Sequence, residues 1–428
     1  MQDSIISLPE LIKYALASNQ TARKARLDIE NTTYRINEVR SAALPQISGS
    51  AGLNYNPLLQ QSALPGDFFG QPGTTILVAL GQKWNSNAGV SFSQALFNQG
   101  VLTGLKAATT TREFYRINAQ LTEEGIIEQV ATGYYGLILQ QQQLIALDST
   151  IENTRELLNI LQSQLKNGLV KKIDVDRVSV SATNLEARRQ QIVNGISISE
   201  NQLKFLAGIP INQPITFENV DVHSIKPSVM DHNPDDYLSR TEFRLLQSQK
   251  RLLELQRESY KAEYYPTLSL SGNYSYQGLG NEFPFKAEKR NFNWFDVATF
   301  GLNLRVPLFN GMATRSRIHQ ADIALAKLGE DISQTQQAMN LDYENAVLQI
   351  NNNLALLKTQ QQNVKLAEDV YQNTIANYNY GLATLADLLS AENGLTDAQT
   401  NYLTTLLNYR LAEIKLLKSK GALRSILQ

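Results

Sequence analysis

The sequence predicts a mainly α protein with transmembrane β, built as a duplicated unit. Long coiled-coil helical hairpins carry four strands per chain. Three observations predict this. First, the chain repeats itself: Asn167-Gly168-Leu169, Asp174 and Gly208 recur 213 positions later as Tyr380-Gly381-Leu382, Asp387 and Gly421, and Gly89 with Leu96-Phe97-Asn98 recurs 212 positions later as Gly301 with Leu308-Phe309-Asn310. That period is far longer than the roughly 20–50 residues of a solenoid unit, so two copies of one long unit suggest duplication and a pseudo-symmetric protomer. Second, Leu137, Leu144, Ile151, Leu158 and Leu165 follow one another at sevens, as do Ile350, Leu357, Val364, Tyr371 and Tyr378; sustained heptads mark supercoiled helices. Third, several short runs alternate apolar and polar residues, the period of a strand with one greasy and one wet face.

The elements follow in order. The first repeat, 1–211, opens with a helix from about Leu8 to Ala42, stopped ahead of Pro45 because a proline disfavours helical geometry in the residue before it. A strand over about 46–55 sets Ile47, Ala51, Leu53 and Tyr55 on one face and Ser48, Ser50 and Asn54 on the other. A loop rich in Pro, Gly and Gln spans 56–85 and holds about nine residues more than its counterpart, as the landmark spacing requires. A second strand covers about 88–97. A long helix covers about 101–166, roughly 100 Å at 1.5 Å per residue, and another about 172–207. Each long helix matches two shorter ones placed end to end. A connector over 212–233 leads to the second repeat, 234–428: a helix from Pro234 to Tyr264, strands over about 267–276 and 298–309, a long helix over about 313–379 and a last one over about 385–420.

Composition narrows the class. Across 428 residues the formal net charge is -1, so nothing attracts nucleic acid to the chain as a whole. There are no cysteines, which excludes disulfides and thiolate metal sites. The apolar run Ile76 to Leu80 is the longest, far short of the roughly 20 residues of a spanning helix. A signal peptide is presumed removed, since none is visible at Met1. His223, His232 and His319 are the only histidines, and their spacing resembles no metal or catalytic constellation. With no phosphate-cradling glycine loop either, the chain reads as no enzyme and as needing no cofactor.

Strands of about ten residues suit a tilted crossing of a bilayer. Four of them in an open sheet leave two edges unpaired, and in lipid every backbone group needs a partner. Closure therefore calls for several chains. Aromatic residues near the strand ends (Tyr55, Trp84, Phe92, Phe97, Tyr274, Tyr276, Trp294, Phe295, Phe300, Phe309) fit girdles at the two membrane interfaces. The competing reading is a soluble β-sandwich edge on a coiled-coil scaffold with no transport role. The small polar residues of the second face favour a wet lumen.

With both exits Leu-Phe-Asn, both helix tips Gly-Leu with Asp six residues after Gly, and this element order over essentially all of the chain, the sequence resembles the TolC family of outer-membrane efflux proteins. The resemblance implies a homotrimer whose four strands per chain close a twelve-stranded β-barrel in outer-membrane lipid of a Gram-negative bacterium, above a periplasmic α-barrel. It implies a periplasmic adaptor (membrane fusion protein) and an inner-membrane pump as partners. The function implied is the exit channel of a tripartite efflux or type I secretion system, a passive conduit gated at the periplasmic tip and opened by adaptor contact. The adaptor-contact tips are then Gly168, Leu169, Val170 and Lys171, and Gly381, Leu382, Ala383 and Thr384. The constriction falls to Asp387, Tyr378, Asp174 and Ser390. Glycines 168 and 381 supply the left-handed turn at low cost, while the leucines beside them either seat a partner or cover the turn. Three copies of Asp387 would make an anionic ring favouring cations; equally, Asp387 is a helix N-terminal acid. The sequence departs from the family pattern at Ala383, where an arginine is expected, and at Ser390, where a second aspartate is. Lys171 and Lys172 are the candidate replacements, as partners of Asp387 or Asp174, or simply solvated. Cargo, whether small toxic molecules or proteins, is not encoded in a lumen of Gln, Asn and Ser.

Overall fold

The computed structural model describes residues 5–218, 239–285 and 292–427. Most of the predicted connector, with His223, His232, Asp221, Asp231, Asp235 and Asp236 and the Pro234 helix start, lies outside the described residues. In chain order the elements are β1 (Ile5–Ile6), α1 (Leu8–Ser18), α2 (Gln20–Ser41), β2 (Gln46–Tyr55), β3 (Gln61–Pro65), β4 (Thr75–Ala79), β5 (Trp84–Phe97), α3 (Gln99–Lys166), α4 (Lys172–Ala207), β6 (Thr216–Phe217), α5 (Thr241–Ala262), β7 (Thr267–Gly280), β8 (Phe292–Arg305), α6 (Ala313–Asn379) and α7 (Leu385–Ser419). The chain divides into two compact units: Met1–Glu30 with Glu113–Gln249 and Leu328–Gln428, and Asn31–Arg112 with Lys250–Lys327.

The first unit is helical. Its core gathers Leu11 and Ile12 of α1, Ile127, Val130, Tyr134 and Leu137 of α3, Leu203 of α4 and Tyr402, Leu403 and Leu406 of α7. Fully burying each large aliphatic side chain stabilises the fold by about 1.5–3 kcal/mol. None of the ten heptad positions is exposed; Leu137, Ile151 and Tyr371 are buried and the others half-buried. The strands β1 and β6 pair in parallel through Ile5↔Thr216 and Ile6↔Phe217.

The predicted first helix is two helices. Asn19 takes an extended backbone (φ -60°, ψ 132°), and its side-chain oxygen accepts the N–H groups of Thr21 at 2.7 Å and Ala22 at 3.3 Å, which starts α2 anew. Helical periodicity continues across the break, so the pattern concealed it. Its amide also donates to the Leu206 carbonyl at 2.7 Å, so the end of α4 abuts the start of α2. There Gly208 (φ 71°) lies so close that an added Cβ would stand 2.7 Å from the Ser18 carbonyl oxygen. Gly421 (φ 68°) meets Ser239 and Arg240, ahead of α5, in the same way. Among the described residues helix α5 starts at Thr241.

The second unit holds an antiparallel sheet ordered β2-β5-β7-β8. Three of its strands differ from their predicted bounds: β5 starts at Trp84, β7 runs to Gly280, and β8 occupies Phe292–Arg305 instead of 298–309. The predicted loop 56–85 contains a further hairpin, β3 with β4, paired from Gln61↔Ala79 to Pro65↔Thr75. Every sheet strand meets its helix at one end of the sheet, and both hairpin connections lie at the other. Beside the sheet, Glu263 accepts from Thr314 and from Arg317, each at 2.6 Å, and Arg257 pairs with Asp322 at 3.1 Å.

Candidate functional site: a two-faced sheet and the helix tips

Strand register decides what the sheet offers. Ile47 pairs with Phe92, Ala51 with Ala88 and Tyr55 with Trp84. Val90 pairs with Tyr274 and Ala88 with Tyr276. Leu270 pairs with Leu302, Leu268 with Leu304 and Gly272 with Phe300. All of these share one face. Ile47 is 71% exposed, Phe300 81%, Leu302 64% and Leu304 65%, so among the described residues nothing packs on that apolar face. The opposite face carries Ser48, Ser50, Asn54, Asn85, Ser91, Ser93, Ser269, Ser271, Asn273 and Asn303. They bond to one another: the Ser48 and Ser91 hydroxyls lie 2.7 Å apart, and Asn303 donates to Ser271 at 2.8 Å. A surface apolar on one side and hydrogen-bonded on the other suits an oil–water boundary.

The aromatic positions sort by end. Tyr55 and Trp84 lie 4.6 Å apart and Tyr276 stacks on Trp294 at 4.9 Å, all near the hairpin end. Tyr274 sits nearer the middle of the same face, its hydroxyl donating to Asp296 at 2.9 Å. Phe97 is at the helix end. It joins the apolar face because a bulge between Ala95 and Phe97 shifts the register, which reverses the side to which odd-numbered residues point. Phe309 lies past the end of β8 and is 80% exposed. Phe295, predicted for the girdle, is on the polar face opposite Gln277. The edges β2 and β8 each have a strand on one side only among the described residues.

The helix ends form the second candidate site. Helix α3 stops at Gly168 (φ 74°), with Gly168 N–H on the Leu165 carbonyl at 3.0 Å and Leu169 N–H on Gln164 at 2.9 Å. Helix α6 stops at Gly381 (φ 73°), with Gly381 on Tyr378 at 3.0 Å and Leu382 on Asn377 at 2.8 Å. Both are six-to-one closures that satisfy the last carbonyls of a helix. Beneath the turns Leu161, Val175, Val178 and Leu385 are buried, with Leu165, Val170, Tyr378 and Leu389 packed around them. Helices α3, α4, α6 and α7 all contribute. Leu169 is 74% and Leu382 78% exposed at the turns; Lys171 and Ser390 are exposed, and Ala383 is half-buried.

Asp387 closes a capping box. Its carboxylate accepts from Thr384 Oγ1 at 2.7 Å and Thr384 N–H at 2.9 Å, and these bonds, the side-chain one first, hold its pKa below the ordinary aspartate value. The helix-start reading thus accounts for Asp387 in one chain. Asp174 approaches Arg177 of its own helix at 4.0 Å, and no ion pair joins Lys171 or Lys172 to either aspartate among the described residues. Burial raises the Tyr378 hydroxyl pKa, and the nearby Asp174 charge adds to it. Sequence reasoning missed one polar pair at this level, Thr154 with Glu392, both buried. Its signal was a glutamate one helical turn past a buried tip leucine, Leu388.

Among the described residues no helix is long and apolar enough to cross a membrane, and none of the His, Asp and Glu residues gather as a metal site. The sheet of one unit presents an apolar and a polar face, and the helices of the other end in glycine turns over a small apolar cluster, features suited to a channel subunit. The family description "Outer membrane efflux protein" matches residues 11–209 and 241–422, and the chain belongs to that family. It is similar to the outer membrane protein TolC of Vibrio cholerae, 23% identical over 90% of this chain and 83% of that one. It is also similar to the proteases secretion protein PrtF of Dickeya chrysanthemi, 22% identical over 74% and 68%. The fold matches the solved structure of CusC with a TM-score of 0.78 at 16% identity, covering 97% of this chain and 92% of that one.

Proposed function

We propose that the chain is one subunit of a homotrimeric exit channel in the outer membrane, serving efflux or secretion. The observation that carries this is the four-stranded sheet, apolar and unpacked on one face, hydrogen-bonded and polar on the other, with both edges open. Such a sheet satisfies its backbone in lipid only by pairing β8 of one copy with β2 of the next. Three copies give twelve strands. The polar face then lines the lumen, with Tyr55, Trp84, Tyr276 and Trp294 toward one interface, Phe97 and Phe309 toward the other, and Tyr274 between them. Residues 1–211 and 234–428 are two copies of one unit. Their helices extend into the periplasm, where Leu169, Val170, Leu382 and Ala383 contact a periplasmic adaptor that recruits an inner-membrane pump. Conduction is passive, because no nucleotide-binding motif supplies energy. Tyr378, Asp174, Ser390 and three copies of Asp387 stand at the constriction. Membership of the efflux family sets aside the scaffold reading. The test is planar-bilayer conductance of the detergent-extracted oligomer. Discrete channels from a heat-labile trimer are expected, and a water-soluble monomer that never enters liposomes overturns the proposal.

A further inference from the structure

We propose that Glu392 is held as a neutral acid in the resting channel and is the positioning residue that fastens the second repeat's tip hairpin to the first. The argument is one of donors and acceptors. Thr154 Oγ1 stands 2.8 Å from the Thr150 carbonyl and 2.7 Å from Glu392 Oε1. A hydroxyl has one proton, and a backbone carbonyl only accepts. Both bonds form together when Thr154 donates to Thr150 and the Glu392 carboxyl donates to Thr154. The setting agrees: Thr154 is 1% and Glu392 7% exposed, no ion pair joins Glu392 among the described residues, and burial raises its pKa above the ordinary glutamate value, against an opposing pull from Thr154. The titratable group facing it from α6 is Tyr371, itself buried and bonded to Asn153 of α3. Arg155, next to Thr154, is engaged by Glu186 of α4 at 2.7 Å. Thus α7 and α6 are each tied to α3 at one level, by Glu392 with Thr154 and by Tyr371 with Asn153. Any widening that parts the two tip hairpins breaks these ties.

The sign follows from linkage. An acid whose folded pKa is raised adds stability that is full at low pH and lost as pH rises through the folded value. The resting tip therefore loosens on the alkaline side. This inference rests on the channel reading, and the experiment separates the two. Single-channel conductance is recorded across about pH 5–9, since buried glutamates titrate as high as pH 8–9. Wild type is expected to gain open probability as pH rises. Glu392→Gln, which keeps a donor for Thr154 and cannot ionise, is expected to conduct at the low-pH level throughout. Infrared spectra at neutral pH are expected to show a protonated carboxyl band that Glu392→Gln lacks. Channels that form but share one pH profile in both proteins, or a missing band, overturn the Glu392 proposal and leave the channel intact. Absence of channels in wild type overturns the channel reading instead.

Discussion

The indole of Trp294 occupies the space that a side chain at Gly278 would take. A Cβ built on Gly278 would lie 2.8 Å from the indole carbons, and Phe292 stands closer still. Aromatic rings covering a cross-strand glycine give that bare stretch of backbone the packing it lacks. Gly272 under Phe300 repeats the device, with an added Cβ 2.9 Å from the ring. Gly278→Val should eject the indole, shifting Trp294 fluorescence toward a more polar environment and lowering the oligomer's resistance to heating in detergent. Gly301→Ala is the control: its nearest neighbour, Ser271 Oγ, stands 3.6 Å off, and it should behave as wild type.

The break between α1 and α2 is held by one side chain. Asn19→Ala removes the cap on Thr21 and leaves the Leu206 carbonyl without its donor. A loss of about 2 kcal/mol is expected in chemical denaturation, about half from the cap and half from the carbonyl. Asn19→Asp keeps the cap and loses only the second part.

The tip glycines meet a geometric need of their turns. Gly168 and Gly381 have open space where a Cβ would go, so alanine at either adds only left-handed strain, about 1–2 kcal/mol, read as faster hydrogen exchange in the adjoining turn. Leu169→Asp and Leu382→Asp should leave exchange unchanged and abolish binding of an adaptor hairpin. Normal adaptor binding by both would remove these leucines from the contact.

Asp387 caps its helix, and the constriction role proposed for it has a separate readout. Its depressed pKa means that its cap contributes above the ordinary aspartate pKa and is lost as pH falls through the folded value. Exchange of the first-turn amides of α7 should quicken on that acid limb. Thr384→Ala should weaken the helix start by about 1 kcal/mol at neutral pH. Asp387→Ala should in addition lower cation selectivity; unchanged reversal potentials in a salt gradient would count against an Asp387 ring.

Tyr134 supplies an alkaline limit. Burial chiefly, then the Glu218 charge, pushes its pKa from 10.0 up to about 12. Its contribution is whole below pH 10 and drains away as pH climbs toward 12. Tyr134→Phe should flatten that part of the stability profile in a thermal-melt series.

Much of this was legible because distant chemistry left local traces. Leu137 and Tyr371 carry the heptad phase wherever the partner helix lies. The alternation of Ile47 with Ser48 declares two environments before any strand is paired. Glycines 168 and 381 betray their turns because few other residues tolerate them. What stayed hidden depends on bonds between distant residues. The break at Asn19 preserves helical periodicity, and the fold fixes it through the cap on Thr21 and the bond to Leu206. The bulge beside Phe97 is a matter of pairing with Leu268. Phe295 reads as a girdle aromatic until the register with Gln277 turns it to the polar side. The bond between Thr154 and Glu392 joins residues 238 apart; the turn after Leu388 marks where Glu392 stands, and no local pattern names its partner.

The bare margins of β2 and β8 bear on how the protein is made. A solitary folded copy would present two unsated strands to every other sticky polypeptide in its compartment. If copies close on one another as proposed, stability becomes a property of the company the molecule keeps, climbing with its own concentration in the manner of an obligate oligomer. On the trimeric reading proposed above, a new copy needs shelter from chaperones until it meets its partners, and dilution at that stage, rather than heat, is the stress that should trap it as aggregate.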